Sequence, residues 1–215
     1  MRITVPLALA LCLILPRSAA PDQKPPGTIQ EAAGSVEWTK PAGAVKSMNS
    51  SGSGPGFDIV KLALISDGTA LVVTATLATA LSGTWADDVA ELYIDTDNNP
   101  ATGSKTSWSN KHGFELQAKL RACVEYEGGS ACMGAVSGRK VKGYYSSMKL
   151  GNASGSVFPP FKEPKGTAQG TVVSASLAYK DLGVRAGQTI RIVAIQSGGS
   201  PDETSEFPAV LLTLK

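Results

Sequence analysis

The sequence predicts an all-β fold, an antiparallel sandwich or barrel, from three observations. No stretch sustains the 3.6-residue period of an amphipathic helix. Short runs of alternating apolar and polar residues recur along the chain, each the length of a strand with one buried face. Between them lie clusters of Gly, Pro, Ser, Asn and Asp, and the 23 glycines among 215 residues supply the positive-φ positions that many tight connections need.

Residues 1–20 read as a secretory signal peptide: Arg2 is the charged start, residues 3–16 the apolar run, and Ser18, Ala19 and Ala20 a small-residue cleavage site. The apolar run is too short for a membrane span. Residues 21–33, beginning PDQKPPG, read as a flexible leader, and residues 34–215 as a single domain. SVEWT at residues 35–39 is a short strand, and the Ser/Gly/Pro-rich residues 43–56 form a loop. Residues 57–65 and 71–79 are apolar strands joined by Asp67-Gly68, a hairpin signal, with Leu71, Val73, Ala75 and Leu77 on one face. Residues 89–95 form the next strand. In residues 113–122, Phe114, Leu116, Ala118 and Leu120 alternate with Glu115, Gln117, Lys119 and Arg121. Residues 123–126, 133–136 and 141–150 are less regular strands separated by glycine turns, and Pro159-Pro160 excludes regular pairing within residues 151–164. Strands follow at residues 171–178, 189–196 and 210–214, and YKDLG at residues 179–183 makes a single helical turn.

Leaving out residues 1–20 removes two arginines and no acid, so 20 − 2 = 18 basic residues face 18 acidic ones. A net charge near zero lacks the clustered Lys and Arg that nucleic acid or an anionic membrane calls for. Cys123 and Cys132 then form an even pair with the glycine-containing segment EYEGGSA between them; in an exported chain they are expected to form one disulfide closing a hairpin or long turn.

The stretch richest in chemistry is LYIDTDNNPATG, residues 92–103. Ala90, Leu92 and Ile94 alternate with Glu91, Tyr93 and Asp95 as a half-buried strand, after which Asp95, Asp97 and Asn99 fall at every second position. Their side-chain oxygens can converge, and a hard cation such as calcium takes six to eight oxygen ligands. The loop is not an EF-hand, because its sixth position is Pro100 and its twelfth Thr106. A plain turn, with Asp and Asn bonding the adjacent backbone, is the equally simple reading.

Nucleophilic catalysis has little to stand on. The single histidine, His112, has no GxSxG-type turn beside it, and no second acid is marked out as the partner that glycoside hydrolysis requires. Aromatic residues offer sugar-stacking surfaces instead: Trp108 in SKTSWSNKHG, Trp85 in SGTWADD, and Tyr144-Tyr145 near a glycine turn, whereas Trp38 is expected in the core.

Taken in order, FDIVK at residues 57–61, the Asp67-Gly68 hairpin, LYIDTDNNPATG, GFEL at residues 113–116 and SLAYKDLG at residues 176–183 resemble exported bacterial β-sandwich modules similar to the DOMON-like and family 9 carbohydrate-binding folds. The DxDxNxxTG segment is the specific part. The resemblance implies a jelly-roll-like sandwich with structural calcium, ligated by Asp95, Asp97 and Asn99, with Thr102 supplying an oxygen and Glu115 a further carboxylate. It implies a secreted, non-enzymatic binding module, with carbohydrate as the expected ligand at Trp108, Trp85, Tyr144 and Tyr145. The alternative is an extracellular structural or protein-interaction domain. A hydrolase and a haem protein rank below both, since haem would have to use His112 with Met133 or Met148, or a Met with a Lys, and no CxxCH motif exists.

Overall fold

Where alternation in the sequence is cleanest, the chain forms ladders. The computed structural model describes residues 29–39, 57–104, 113–153, 164–196, 207 and 209–215. The expected signal peptide, Trp108 and His112 lie outside the described residues. Among the described residues there are thirteen strands: β1 (Gln30–Ala33), β2 (Ser35–Thr39), β3 (Ile59–Ser66), β4 (Ala70–Leu77), β5 (Trp85–Asp95), β6 (Leu116–Tyr126), β7 (Gly129–Ala131), β8 (Gly134–Ala135), β9 (Val141–Asn152), β10 (Lys165–Gln169), β11 (Val172–Ala178), β12 (Thr189–Gln196) and β13 (Val210–Thr213). The one helical turn, α1 (Tyr179–Leu182), ends on Gly183 in the left-handed region, as YKDLG predicts.

The strands run in the order β1-β13-β12-β5-β6-β9-β10-β11-β4-β3-β2, with β7 beside β6 and β8 beside β5. Every pairing is antiparallel except β1 with β13. The all-β fold is therefore a large antiparallel-dominated sheet, nearly closed into a barrel. Gly34 (φ +74°) makes the closure, because β1 and β2 are consecutive and lie at opposite ends of the sheet. Its N–H donates to the Thr213 carbonyl at 2.8 Å and its carbonyl accepts the Ser66 N–H at 2.7 Å, so one kinked strand touches both ends.

Inward-facing residues of both halves meet in one core. Leu62, Leu64, Leu71, Val73, Leu92, Ile94, Leu120, Met148, Leu177, Ile190 and Leu212 are buried there, and Trp38 joins them as expected, 5.7 Å from the ring of Phe207. The Asp67-Gly68 hairpin joins β3 to β4, with Asp67 Oδ1 accepting the N–H groups of Thr69 (2.8 Å) and Ala70 (2.7 Å). Those bonds hold its carboxyl below the ordinary carboxylate range, the Thr69 bond first. Cys123 and Cys132 form the expected disulfide across the β6–β7 hairpin.

The structure departs from the sequence reading in four places. The end of the expected flexible leader is strand β1; QEAA has no apolar alternation to signal it, and backbone bonding to β13 makes it a strand. KGTAQ, read as part of no strand, is β10, held between β9 and β11. Trp85, read as a loop residue, starts β5, whereas Tyr144 and Tyr145 lie within β9, the strand expected over residues 141–150. Phe114 does not share a face with Leu116, because the ladder of β6 begins only at Leu116; its ring lies against Tyr93 in a second cluster with Ala153, Val193 and Ile195.

Candidate metal centre

β5, an interior strand, delivers Asp95 to one end of the sheet as its last residue, fully buried. The chain then turns sharply, with Asn98 at φ 53°, a left-handed conformation that Asn tolerates better than most residues. This turn folds residues 96–102 back over Asp95. The Asn99 N–H lies 3.1 Å from Asp95 Oδ1 and 3.0 Å from Asp97 Oδ1, and the Ala101 N–H donates to Asn99 Oδ1 at 3.1 Å.

Glu115 reaches the same point from the start of β6. Its Oε2 accepts the Thr96 N–H at 2.7 Å, and its Oε1 lies 3.0 Å from Thr102 Oγ1. It thus lies one residue before the strand, partly buried, with both carboxylate oxygens engaged. Asp95, Asp97 and Glu115 each place a carboxylate oxygen within 4.8 Å of the other two. Thr102 Oγ1 is also 3.0 Å from Asp97 Oδ1 and 2.7 Å from the Asn99 carbonyl. Of the five residues expected to ligate a cation, Asp95, Asp97 and Glu115 bring carboxylate oxygens together and Thr102 Oγ1 lies against two of them, whereas Asn99 meets the acids through its backbone N–H and turns its side-chain oxygen to Ala101.

The electrostatics of this group are unbalanced. Asp95 Oδ2 is buried and accepts no hydrogen bond. Burial, followed by the neighbouring charges of Glu115 and Asp97, pushes the Asp95 carboxyl up to about 6, against the opposing Asn99 N–H bond. A buried carboxylate oxygen without a donor is costly, and a cation among the three acids would relieve both the desolvation and the repulsion.

Two glycines let the loop close over its base. A Cβ on Gly113 (φ +71°) would lie 2.3 Å from the Asn99 carbonyl oxygen, and one on Gly103 (φ +78°) 2.5 Å from the Gly113 carbonyl carbon. The Ser104 N–H donates to the Phe114 carbonyl at 2.8 Å, so Ser104 and Gly113, which flank residues 105–112, are held beside the acids.

The described aromatic candidates lie elsewhere. Trp85 is at the opposite end of β5 from Asp95, roughly 33 Å away at the rise of an extended strand. It is half-buried, with its Nε1–H 3.4 Å from Asp87 Oδ2. Tyr144 packs against the core and donates to the Gly83 carbonyl at 2.8 Å. Tyr145 contacts Cys132 Sγ through its hydroxyl at 3.3 Å, and Lys165 Nζ lies 4.7 Å from its ring centroid. These three side chains are engaged with the protein at the end remote from the acids. A cavity of about 390 Å³ lined by Glu31, Ala32, Ala33, Thr189, Leu211 and Thr213 contains none of the expected ligand residues.

A polar stripe that the sequence reading did not single out runs along β5 and β6. An unpaired residue in the β5 register, Val89, puts Asp88 and Glu91 on one side of the strand although they are three residues apart. Lys119 Nζ bridges them, 3.2 Å from Asp88 Oδ2 and 3.0 Å from Glu91 Oε1. Arg121 Nε donates to Asp88 Oδ1 at 2.8 Å, while Gln117 and Tyr93 donate to Glu91 Oε2 at 2.8 and 3.1 Å. Two acids meet two bases, and desolvation, which alone would lower it, is outweighed by Glu91 and Asp88, so the Lys119 pKa is raised. No protein-family model, curated protein or solved structure matches the chain.

Proposed function

We propose that this protein is a non-catalytic binding module whose loop after β5 holds one calcium ion. The observation that carries the reading is the buried, unbonded Asp95 Oδ2 beside the carboxylates of Asp97 and Glu115. Oxygen-only donors suit a hard cation, and the amide of Asn99 and hydroxyl of Thr102 extend the set toward the six to eight that calcium takes. Two of the other buried acids of β5, Asp88 and Glu91, are matched by Lys119 and Arg121, which supports a structural role for them and not acid–base catalysis.

The ligand class we propose is carbohydrate, stacked on Trp108. Support comes from the chain itself: Trp108 belongs to the segment whose flanking residues, Ser104 and Gly113, are fixed beside the acids, so a metal there would stiffen its attachment. Trp85, Tyr144 and Tyr145 have no part in this version of the site.

Titration of calcium into chelator-treated protein tests the metal. At a hundredfold excess over Kd the ion should add about 2.7 kcal/mol, a rise in Tm of roughly 5–10 °C for a chain of this size. Asp97→Asn and Glu115→Gln should each weaken binding at least tenfold. An unchanged Tm on adding calcium removes the metal from the reading. Polysaccharide pull-down by wild type and Trp108→Ala tests the ligand separately, and equal retention removes the sugar platform alone.

A further inference from the structure

Met133 and Met148 sit in opposite environments. Met148 is wholly buried in the core, whereas Met133, directly after the disulfide residue Cys132, is half exposed. The Met133 sulfur is not directed at apolar neighbours alone: Arg121 Nη2 lies 3.7 Å from it. Arg121 is itself buried and fixed by its Nε bond to Asp88, which Lys119 also contacts. A guanidinium N–H thus faces a thioether, a weak acceptor.

From this geometry we infer that Met133 is a site of reversible oxidation by peroxides, with Arg121 as the group that accommodates the product. The sulfur lone pair attacks one peroxide oxygen, the S–O bond forms as the O–O bond breaks, and the departing hydroxide takes up the proton as water. Sulfur is oxidised by two electrons and the peroxide reduced by two. Sulfoxide formation ordinarily disrupts packing, because it makes an apolar group polar. Here the new oxygen is a strong acceptor created beside a positioned cationic donor, and the contact of that cation with a weak acceptor becomes a full charge-assisted hydrogen bond. The surrounding charges hold the donor in place, since Arg121 cannot swing away without breaking its bond to the buried Asp88 Oδ1 and leaving that acid to Lys119 alone. A sulfoxide reductase acting on this exposed residue would restore the thioether.

The test is a hydrogen peroxide time course on the full-length protein, followed by peptide mass spectrometry at each methionine and by thermal melting. Met133 should gain one oxygen at least tenfold faster than Met148, and protein oxidised at Met133 should melt no lower than untreated protein. Equal rates at the two residues, or a Tm lowered by Met133 oxidation, would overturn the inference. A pair of variants repeats the test without oxidant. Met133→Gln, whose amide oxygen can accept the Arg121 N–H, should melt at or above Met133→Leu, which offers no acceptor; the reverse order also overturns it.

Discussion

The Thr102 hydroxyl carries one hydrogen and lies within bonding distance of three oxygens, those of Asp97, the Asn99 carbonyl and Glu115. It can donate to only one of them; Asp97 Oδ1 also accepts the Asn99 N–H and the Asn99 carbonyl the Thr102 N–H, so Glu115 Oε1 is the oxygen short of a donor when the hydroxyl turns away. This shortage, with the unbonded Asp95 Oδ2, gives the site its expected pH response. The Asp95 carboxyl titrates near 3.8 when unfolded and near 6 when folded, so between those values the folded state binds more protons. Stability contributed by the protonated acid is therefore complete below about pH 4 and is lost as pH rises through 6. In chelator, urea unfolding at pH 4.5, 5.5 and 7 should show this decline in wild type, and Asp95→Asn should remove most of it. Calcium, which binds the ionised acids, should restore wild type at pH 7 and do little for the variant. A variant whose pH profile parallels wild type would show that Asp95 does not carry the effect.

At the scale of elements, the centre is a junction between β5 and β6, and glycine is what allows their ends to meet. Gly113→Ala would add both a strained positive φ and a collision with the Asn99 carbonyl. Gly138, with a similar φ of 71° and nothing near its Cβ position, isolates the first of these. Gly138→Ala should cost about 1 kcal/mol, while Gly113→Ala should cost at least 1–3 kcal/mol more and weaken calcium binding. Denaturant midpoints with and without calcium separate the two; equal losses would mean the loop does not depend on the close approach. The same junction shows what the sequence could and could not reveal. Asp95, Asp97 and Asn99 were legible because they are spaced two apart within one loop, and Glu115 followed only from a resemblance, since it converges from another strand. The partnership of Asp88 with Glu91 was hidden, because the unpaired Val89 changes the parity on which alternation relies. The aromatic reading mistook loop-like composition for loop position at Trp85, where Gly83 precedes it and yet β5 begins on the tryptophan itself; Tyr144 and Tyr145 fall in the strand expected over residues 141–150.

For the molecule as a whole, the alternating strands announced an all-β architecture, but closure depends on a feature with no alternation at all. β1 presents mostly exposed side chains, so its hold on β13 is chiefly backbone hydrogen bonding, which contributes modestly per bond. What it covers matters more: without it, β13 becomes an open edge that can pair with another chain. The far side of the seam is tied independently, for the Lys215 N–H donates to Ser66 Oγ at 2.6 Å, and Ser66 Oγ also bonds the Tyr179 hydroxyl. Protein beginning at Ser35 should therefore still fold around the core shared by β3, β4, β5, β6, β9, β11 and β12. Its stability should fall by about 1–3 kcal/mol, the scale of a few net backbone bonds, and its sedimentation should become concentration-dependent as β13 edges associate. The calcium response should survive, because β5, β6 and the turn carrying Gln188, whose Nε2 donates to the Thr96 carbonyl at 2.5 Å, all remain. A shortened protein that stayed monomeric at full stability would mean that β1 only rests on the sheet; one that lost its calcium response while folded would tie the metal centre to the seam.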